Sequence, residues 1–171
     1  QKTLPPDRFR SVADIDGWRV YENLKAAPRA LLVSDYIPYR TPKEFENHFF
    51  AKEFNPSTTI LLNKPINVPL GAISGTSVQI NTYQPNEVLL RVVSNGNLLY
   101  LSDTYYPGWK ASVDGINTPV RKANYAFRAI YVPQGTHTVR FTFDPLSFKI
   151  GLIVSIASLF ASMVFVKRYE A

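Results

Sequence analysis

The chain has 171 residues, 46% of them hydrophobic and 13% aromatic, with a formal net charge of +6. That composition excludes a disordered chain, and the absence of Cys excludes disulfides and thiolate metal sites. The basic residues are scattered, with doublets only at Arg121-Lys122 and Lys167-Arg168; this speaks against nucleic acid as a partner and for a basic surface beside a membrane.

Residues 1–16 read as a polar lead-in, and Pro5-Pro6 argues against helix there. Residues 17–24 (GWRVYENL) and 29–36 (RALLVSDY) read as extended segments. Thr41 opens a short helix as its N-cap, with Pro42 in the first turn and Glu44 completing a capping box. Phe45, Phe49 and Phe50 then form an apolar face over the sheet, and the helix should end before Asn55-Pro56.

A run of strand signatures follows. Residues 58–62 are β-rich, and residues 76–83 alternate with Val78 and Ile80 on one face. Residues 87–94 and 97–104 flank Asn95-Gly96, a strong hairpin signal, and Asp114-Gly115 joins residues 109–113 to 116–121 in the same way. Residues 126–132 and 136–143 alternate on either side of a turn at Pro133-Gln134-Gly135. Short strands with turns about every 8–12 residues imply a mainly β fold, a β-sandwich or jelly-roll-like domain over residues 17–145 with one short helix.

Residues 150–166 (IGLIVSIASLFASMVFV) carry no charge. As a helix they cover about 25 Å, and extension back to Leu146 approaches the ~30 Å of a bilayer core. The run is apolar on all sides, unlike the stripe of a core helix, and Lys149 and Lys167-Arg168 frame it. Residues 146–167 are therefore expected to be a C-terminal transmembrane helix and 168–171 a cytoplasmic tail. The domain would lie on the extracytoplasmic side. Because the chain starts at Gln1, an export element is expected upstream. Gly151, Ser155, Ser158 and Ser162 fall on one narrow face, where small residues let membrane helices approach closely.

The sequence holds no glycine-rich phosphate loop, HExxH or GxSxG. His48 and His137 have no ligand-spaced neighbours, so no metal site is expected. Asp114 is explained by its Asp-Gly turn. Asp103 stays open between a strand-end polar residue and a ligand contact. The most distinctive segment is LSDTYYPGWKASVDG, residues 101–115, where Tyr105, Tyr106 and Trp109 surround Pro107-Gly108. Such aromatic groups suit a core beside a turn, docking at a membrane interface, or the face of a sugar ring.

Tyr106-Pro107-Gly108-Trp109, Asp114-Gly115, Ala123-Asn124-Tyr125-Ala126-Phe127-Arg128-Ala129, Val132-Pro133-Gln134-Gly135-Thr136-His137 and Pro145-Leu146-Ser147-Phe148, in that order, resemble the C-terminus of the YfhO family. Val20-Tyr21-Glu22-Asn23-Leu24 with Pro28-Arg29-Ala30 resembles that family's entry into this domain, so the likeness runs over nearly the whole chain. The resemblance implies a large polytopic bacterial membrane protein, similar to glycosyltransferases that use a polyprenyl-phosphate-linked sugar donor and modify cell-envelope glycopolymers on the outer face. In that class the acidic catalytic residues lie in early extracytoplasmic loops, so none is expected here, nor any cofactor within this region. The implied partners are membrane lipid, the upstream helical bundle and a cell-envelope glycan. Candidate glycan contacts are Asp103, Tyr105, Tyr106, Trp109, Asn124 and Arg128. Two other readings stand beside this one: a membrane-tethered carbohydrate-binding module, and a purely structural domain that stabilises a helical bundle or dimer.

Overall fold

The computed structural model describes residues 4–169. The outermost residues of the lead-in and of the expected tail therefore lie outside the described residues. The fold is mainly β, with one short helix and a long apolar C-terminal helix.

Strands β1 (Phe9–Ile15) and β2 (Trp18–Asn23) form a separate antiparallel hairpin. The lead-in is thus partly a strand. Its turn is Asp16-Gly17, both at positive φ as a two-residue hairpin turn requires. The remaining strands build one nine-stranded sheet: β3 (Ala30–Val33), β4 (Asp35–Pro38), β5 (Thr59–Leu62), β6 (Ser77–Gln84), β7 (Glu87–Thr104), β8 (Trp109–Val113), β9 (Ile116–Thr118), β10 (Arg121–Ala123) and β11 (Phe127–Phe143). Helix α1 (Pro42–Phe49) starts where its cap signals place it. Thr41 Oγ1 accepts from the Glu44 N–H at 3.2 Å, while the Glu44 carboxylate reaches past the cap to the Arg40 N–H at 2.8 Å. Phe45 packs on Tyr39, Phe49 and Tyr125, whereas Phe50 ends the helix facing solvent.

Strands β7 and β11 are each longer than the sequence pattern suggests. Asn95-Gly96 and Pro133-Gln134-Gly135 are not hairpin turns; each lies inside one long strand. The two strands pair antiparallel from Phe127–Thr104 to Thr142–Glu87, with the two turn-like motifs side by side, Asn97 opposite Val132 and Asn95 opposite Gln134. The ribbon bends there instead of ending. An extended run from Arg128 to Phe141 would be about 40 Å long, yet the Arg128 guanidinium carbon is 5.5 Å from the Phe141 ring centre. The ribbon therefore doubles back, and the two arms of one sheet face each other.

Gly96 sits at φ +87, in the left-handed region that suits glycine. Peptide groups at the bend are satisfied by buried side chains: Ser94 Oγ accepts from the Gly96 and Asn97 N–H groups, and Asn97 Oδ1 accepts from the Asn95 N–H at 2.9 Å.

One arm carries β6 and the β8–β9 hairpin, the other β3, β10, β5 and β4. Val88, Leu90, Val139 and Phe141 from the first arm meet Leu99, Leu101, Ile130 and Val132 from the second in one core. The second arm is buried on its other face too, where Val33, Ile60, Leu62, Leu98 and Ala129 pack with Ile66, Leu70 and Tyr36. This explains the uninterrupted apolar run Leu98–Leu101, since a strand covered on both faces loses its alternation.

Helix α2 (Leu146–Tyr169) follows β11 after two residues. Leu146–Val166 is long and apolar enough to cross a membrane, and none of it is buried against the domain.

Candidate functional site

The doubled ribbon closes at its open end through a polar cluster. Asp103 at the end of β7 accepts three hydrogen bonds. Arg29, preceding β3, donates to Oδ1 at 2.8 Å; the Tyr83 hydroxyl on β6 donates to the same oxygen at 3.0 Å; Arg128 on β11 donates from Nη2 to Oδ2 at 2.9 Å. Tyr83 and Asp103 belong to opposite arms, and Val88, beside Tyr83, is about 50 Å of extended strand from Asp103. The cluster is thus a clasp between the arms.

Arg128 is 2% exposed and Asp103 11%. The Arg128 guanidinium lies over the Trp109 ring, 3.8 Å from its centre. The positive charge is attracted by the negative face of the indole. Nε and Nη1 have no hydrogen-bond partner. Burial pushes the Arg128 pKa below its ordinary value, with the Asp103 charge opposing the shift; the group stays cationic at any working pH. Burial, then the hydrogen bond to Asp103, pushes the Tyr83 phenol up.

A cavity of about 310 Å³ opens beside the clasp, lined by Tyr83, Gln84, Asp103, Thr104, Trp109 and Arg128 among others. Trp109 also lines a second hollow, of about 560 Å³, with Lys110, Asp144, Leu146 and Lys149 at the root of α2. Trp109 is common to the linings of both.

Three of the expected contacts, Asp103, Trp109 and Arg128, come together here. Tyr106 lies apart, exposed against Phe143 at 6.2 Å. Tyr105 is half-buried beyond the cavity lining, its N–H donating to Ala126 O at 2.6 Å. Asn124 is elsewhere: it is buried at φ +43 and bonds both the N–H and the carbonyl of Leu61, which ties β10 to β5. Arg29 and Tyr83 escaped the sequence reading, because nothing near them in the chain marks them as partners of Asp103.

His137 has a partner invisible in the sequence. Its Nδ1 is 2.7 Å from Asp114 Oδ2, while Asp114 Oδ1 accepts the Thr138 N–H at 2.7 Å. Asp114 is therefore both turn residue and acceptor, and the hydrogen bonds from His137 and Thr138 hold its carboxyl below the usual range. Among the described residues no three His, Asp or Glu side chains group to hold a metal ion.

The domain is fastened to α2 at Asp144. Its carboxylate takes Lys110 of β8 at 2.6 Å and Lys149 of the helix at 2.8 Å, which holds its pKa down to about 2. Gly108, at φ +108, packs on Pro145 so closely that a Cβ there would lie 2.9 Å from the proline side chain. A depressed carboxylate pKa stabilises above the unfolded value of 3.8 and loses that contribution as pH falls towards about 2. In thermal unfolding, the advantage of the native chain over Asp144→Asn is expected to hold at neutral pH, shrink below pH 3.8 and vanish near pH 2. An advantage independent of pH would refute the assignment.

Residues 64–155, more than half of the chain, match the family model described as bacterial membrane protein YfhO. The chain is also similar to the "Uncharacterized protein YfhO" of Bacillus subtilis (strain 168), with 29% identity over 76 residues. That match covers 44% of this chain and 9% of the relative, so the chain corresponds to a small part of that protein's length. No solved structure matches. With a clasped β domain running directly into an apolar helix, and the family match spanning that junction, the chain belongs to the YfhO family of bacterial membrane proteins.

Proposed function

We propose that this chain is the extracytoplasmic accessory domain and an adjoining membrane helix of a membrane glycosyltransferase-like protein acting on cell-envelope glycopolymers. The observation that carries the proposal is Trp109, which lines both a polar cavity and the hollow at the root of the apolar helix. A polymer segment bound in that cavity is held close to the membrane surface, where a polyprenyl-phosphate-linked sugar donor would be presented. Catalysis belongs to other parts of such a protein, and this domain positions the acceptor. Helix α2 suits docking on the remaining helices: Ser155, Ser158 and Ser162 each donate to the carbonyl four residues back at 2.9 Å, so the face they share with Gly151 is small and self-satisfied.

The test uses the full-length protein in its own cells. A reporter fused after Ala171 is expected on the cytoplasmic side, and deletion of the gene is expected to remove a sugar substituent from an envelope polymer. An external reporter would put the domain in the cytoplasm and sink the reading, as would unchanged polymer glycosylation in the deletion strain.

A further inference from the structure

We infer that the hollow at the root of α2 is a headgroup site for an anionic phospholipid. Such a site requires neither the proposed glycosyl transfer nor a particular side of the membrane for the domain. The hollow, of about 560 Å³, is lined by Trp109, Lys110, Asp144, Ser147 and Lys149 among others. Its level in the membrane follows from the chain connections around it. The Asp144 N–H donates to Gly108 O at 2.8 Å, and Gly108 packs on Pro145. The turn that carries Trp109 and Lys110 is therefore pinned to the residues just before Leu146, where the apolar helix begins. With Leu146–Val166 across a bilayer, this turn lies at the headgroup level, where Trp and Tyr are favoured, and Tyr106 is exposed on the same turn. Lys149 is the fourth residue of α2, about 5 Å along its axis, yet its ammonium reaches back to Asp144 at 2.8 Å. Such snorkelling lifts the charge to the surface of the hydrocarbon. Lys110 meets the same carboxylate at 2.6 Å from the domain side. Two cations thus share one anion, and the lining carries one positive charge in excess. Both lysines are more than half exposed, and an ammonium has three N–H donors, so each keeps a donor that Asp144 does not take. A phosphodiester oxygen accepts strongly from an ammonium, and its single negative charge matches the excess. The acyl chains of the same molecule would lie along α2, whose apolar surface is uncovered. A soluble phosphate ester would use only the polar half of this surface.

The experiment places the whole chain in nanodiscs of phosphatidylcholine with a rising fraction of phosphatidylglycerol. Trp18→Phe leaves Trp109 as the sole indole; Trp18 is 79% exposed on the separate hairpin, so its loss leaves the sheet intact. Trp109 emission is expected to shift with phosphatidylglycerol and to saturate while that lipid is still a minor component. Lys149→Gln removes the excess charge and should weaken the apparent affinity by about fivefold or more. Asp144→Asn keeps both cations and removes their anion, so it should strengthen the affinity. The opposite signs separate a headgroup site from a structural ion pair, which losing either member would harm alike. A shift that rises without saturation reports surface potential alone and overturns the site. So does the absence of any shift beyond that in phosphatidylcholine, an affinity unmoved by Lys149→Gln, or a weakening by Asp144→Asn. Glycerol phosphate added to the chain in detergent is expected to leave the emission unchanged; a saturable shift there would assign the hollow to a soluble phosphate ester and overturn the lipid assignment. Should Lys149→Gln fail to fold, the saturation curve of the native residues and the sign of the Asp144→Asn effect decide the outcome.

Discussion

Replacing Asp103 by Ala is expected to destabilise the domain by about 3–5 kcal/mol, the range for removing one member of a buried ion pair. The reason lies with the partner left behind. Arg128 is 2% exposed and cannot lose its proton, so the substitution leaves a cation in the core without a counter-charge and removes the acceptor of three hydrogen bonds. Arg29 is half-exposed and can turn to water; Arg128 cannot. The clasp also joins the two arms of the sheet, so its loss removes the closure opposite the bend. Denaturant unfolding of the chain in detergent measures the effect as a fall in midpoint at unchanged slope. A loss below about 1 kcal/mol would mean a solvated surface pair, and the clasp would have no structural role. The double replacement Asp103→Leu with Arg128→Met is expected to recover part of the loss, because apolar side chains of similar volume often replace a buried pair with little penalty.

The sequence reading located the elements where local chemistry decides. The cap of α1 rests on Thr41, Pro42 and Glu44 within one turn of helix, and the Asp114-Gly115 hairpin rests on two residues that accept positive φ. The length and uniform apolarity of α2 are likewise local. The reading went astray where a distant partner overrides the local signal. Asn95-Gly96 is as good a turn as Asp114-Gly115, but the residues around it pair with β11 across the sheet, and buried Ser94 and Asn97 supply the hydrogen bonds of a bend. The alternation of Val139 and Phe141 foretold which side chains enter the core without telling that the arm would fold over onto Leu99 and Leu101.

The site shows the same division. Trp109 and Asp103 stood out through their segment, and Arg128 through the family pattern. Asp103, however, draws its donors from β6, β11 and the chain before β3, and no spacing rule connects positions that only the doubled ribbon brings together. His137 and Asp114 are joined for the same reason, since β8 runs beside the end of β11. Such pairs become legible only once the ladder register is known.

Gly71→Ala is expected to be the second severe substitution, costing about 3 kcal/mol, at the upper end for overpacking a core position. Gly71 lies against the bend of β7. Its N–H donates to Gly96 O at 2.8 Å, and its carbonyl accepts from the Asn97 side chain at 2.6 Å. A Cβ at this position would lie 2.8 Å from the Asn95 carbonyl carbon and closer still to its oxygen. Both are backbone atoms of the bend, which cannot turn aside as a side chain would. Relief requires separating the 70–74 segment from β7, which breaks those two bonds together with the pair from Asn95 Nδ2 to Ala72 O and Ser74 O. Gly75 is the control: it has φ +74 but open space around its Cβ position, so Gly75→Ala should cost only the left-handed backbone penalty of about 1 kcal/mol. Denaturant unfolding of the two variants side by side separates steric contact from backbone conformation. If Gly71→Ala proves no worse than Gly75→Ala, the 70–74 segment is not packed on the bend, and the account of how the ribbon is held in its turn fails with it.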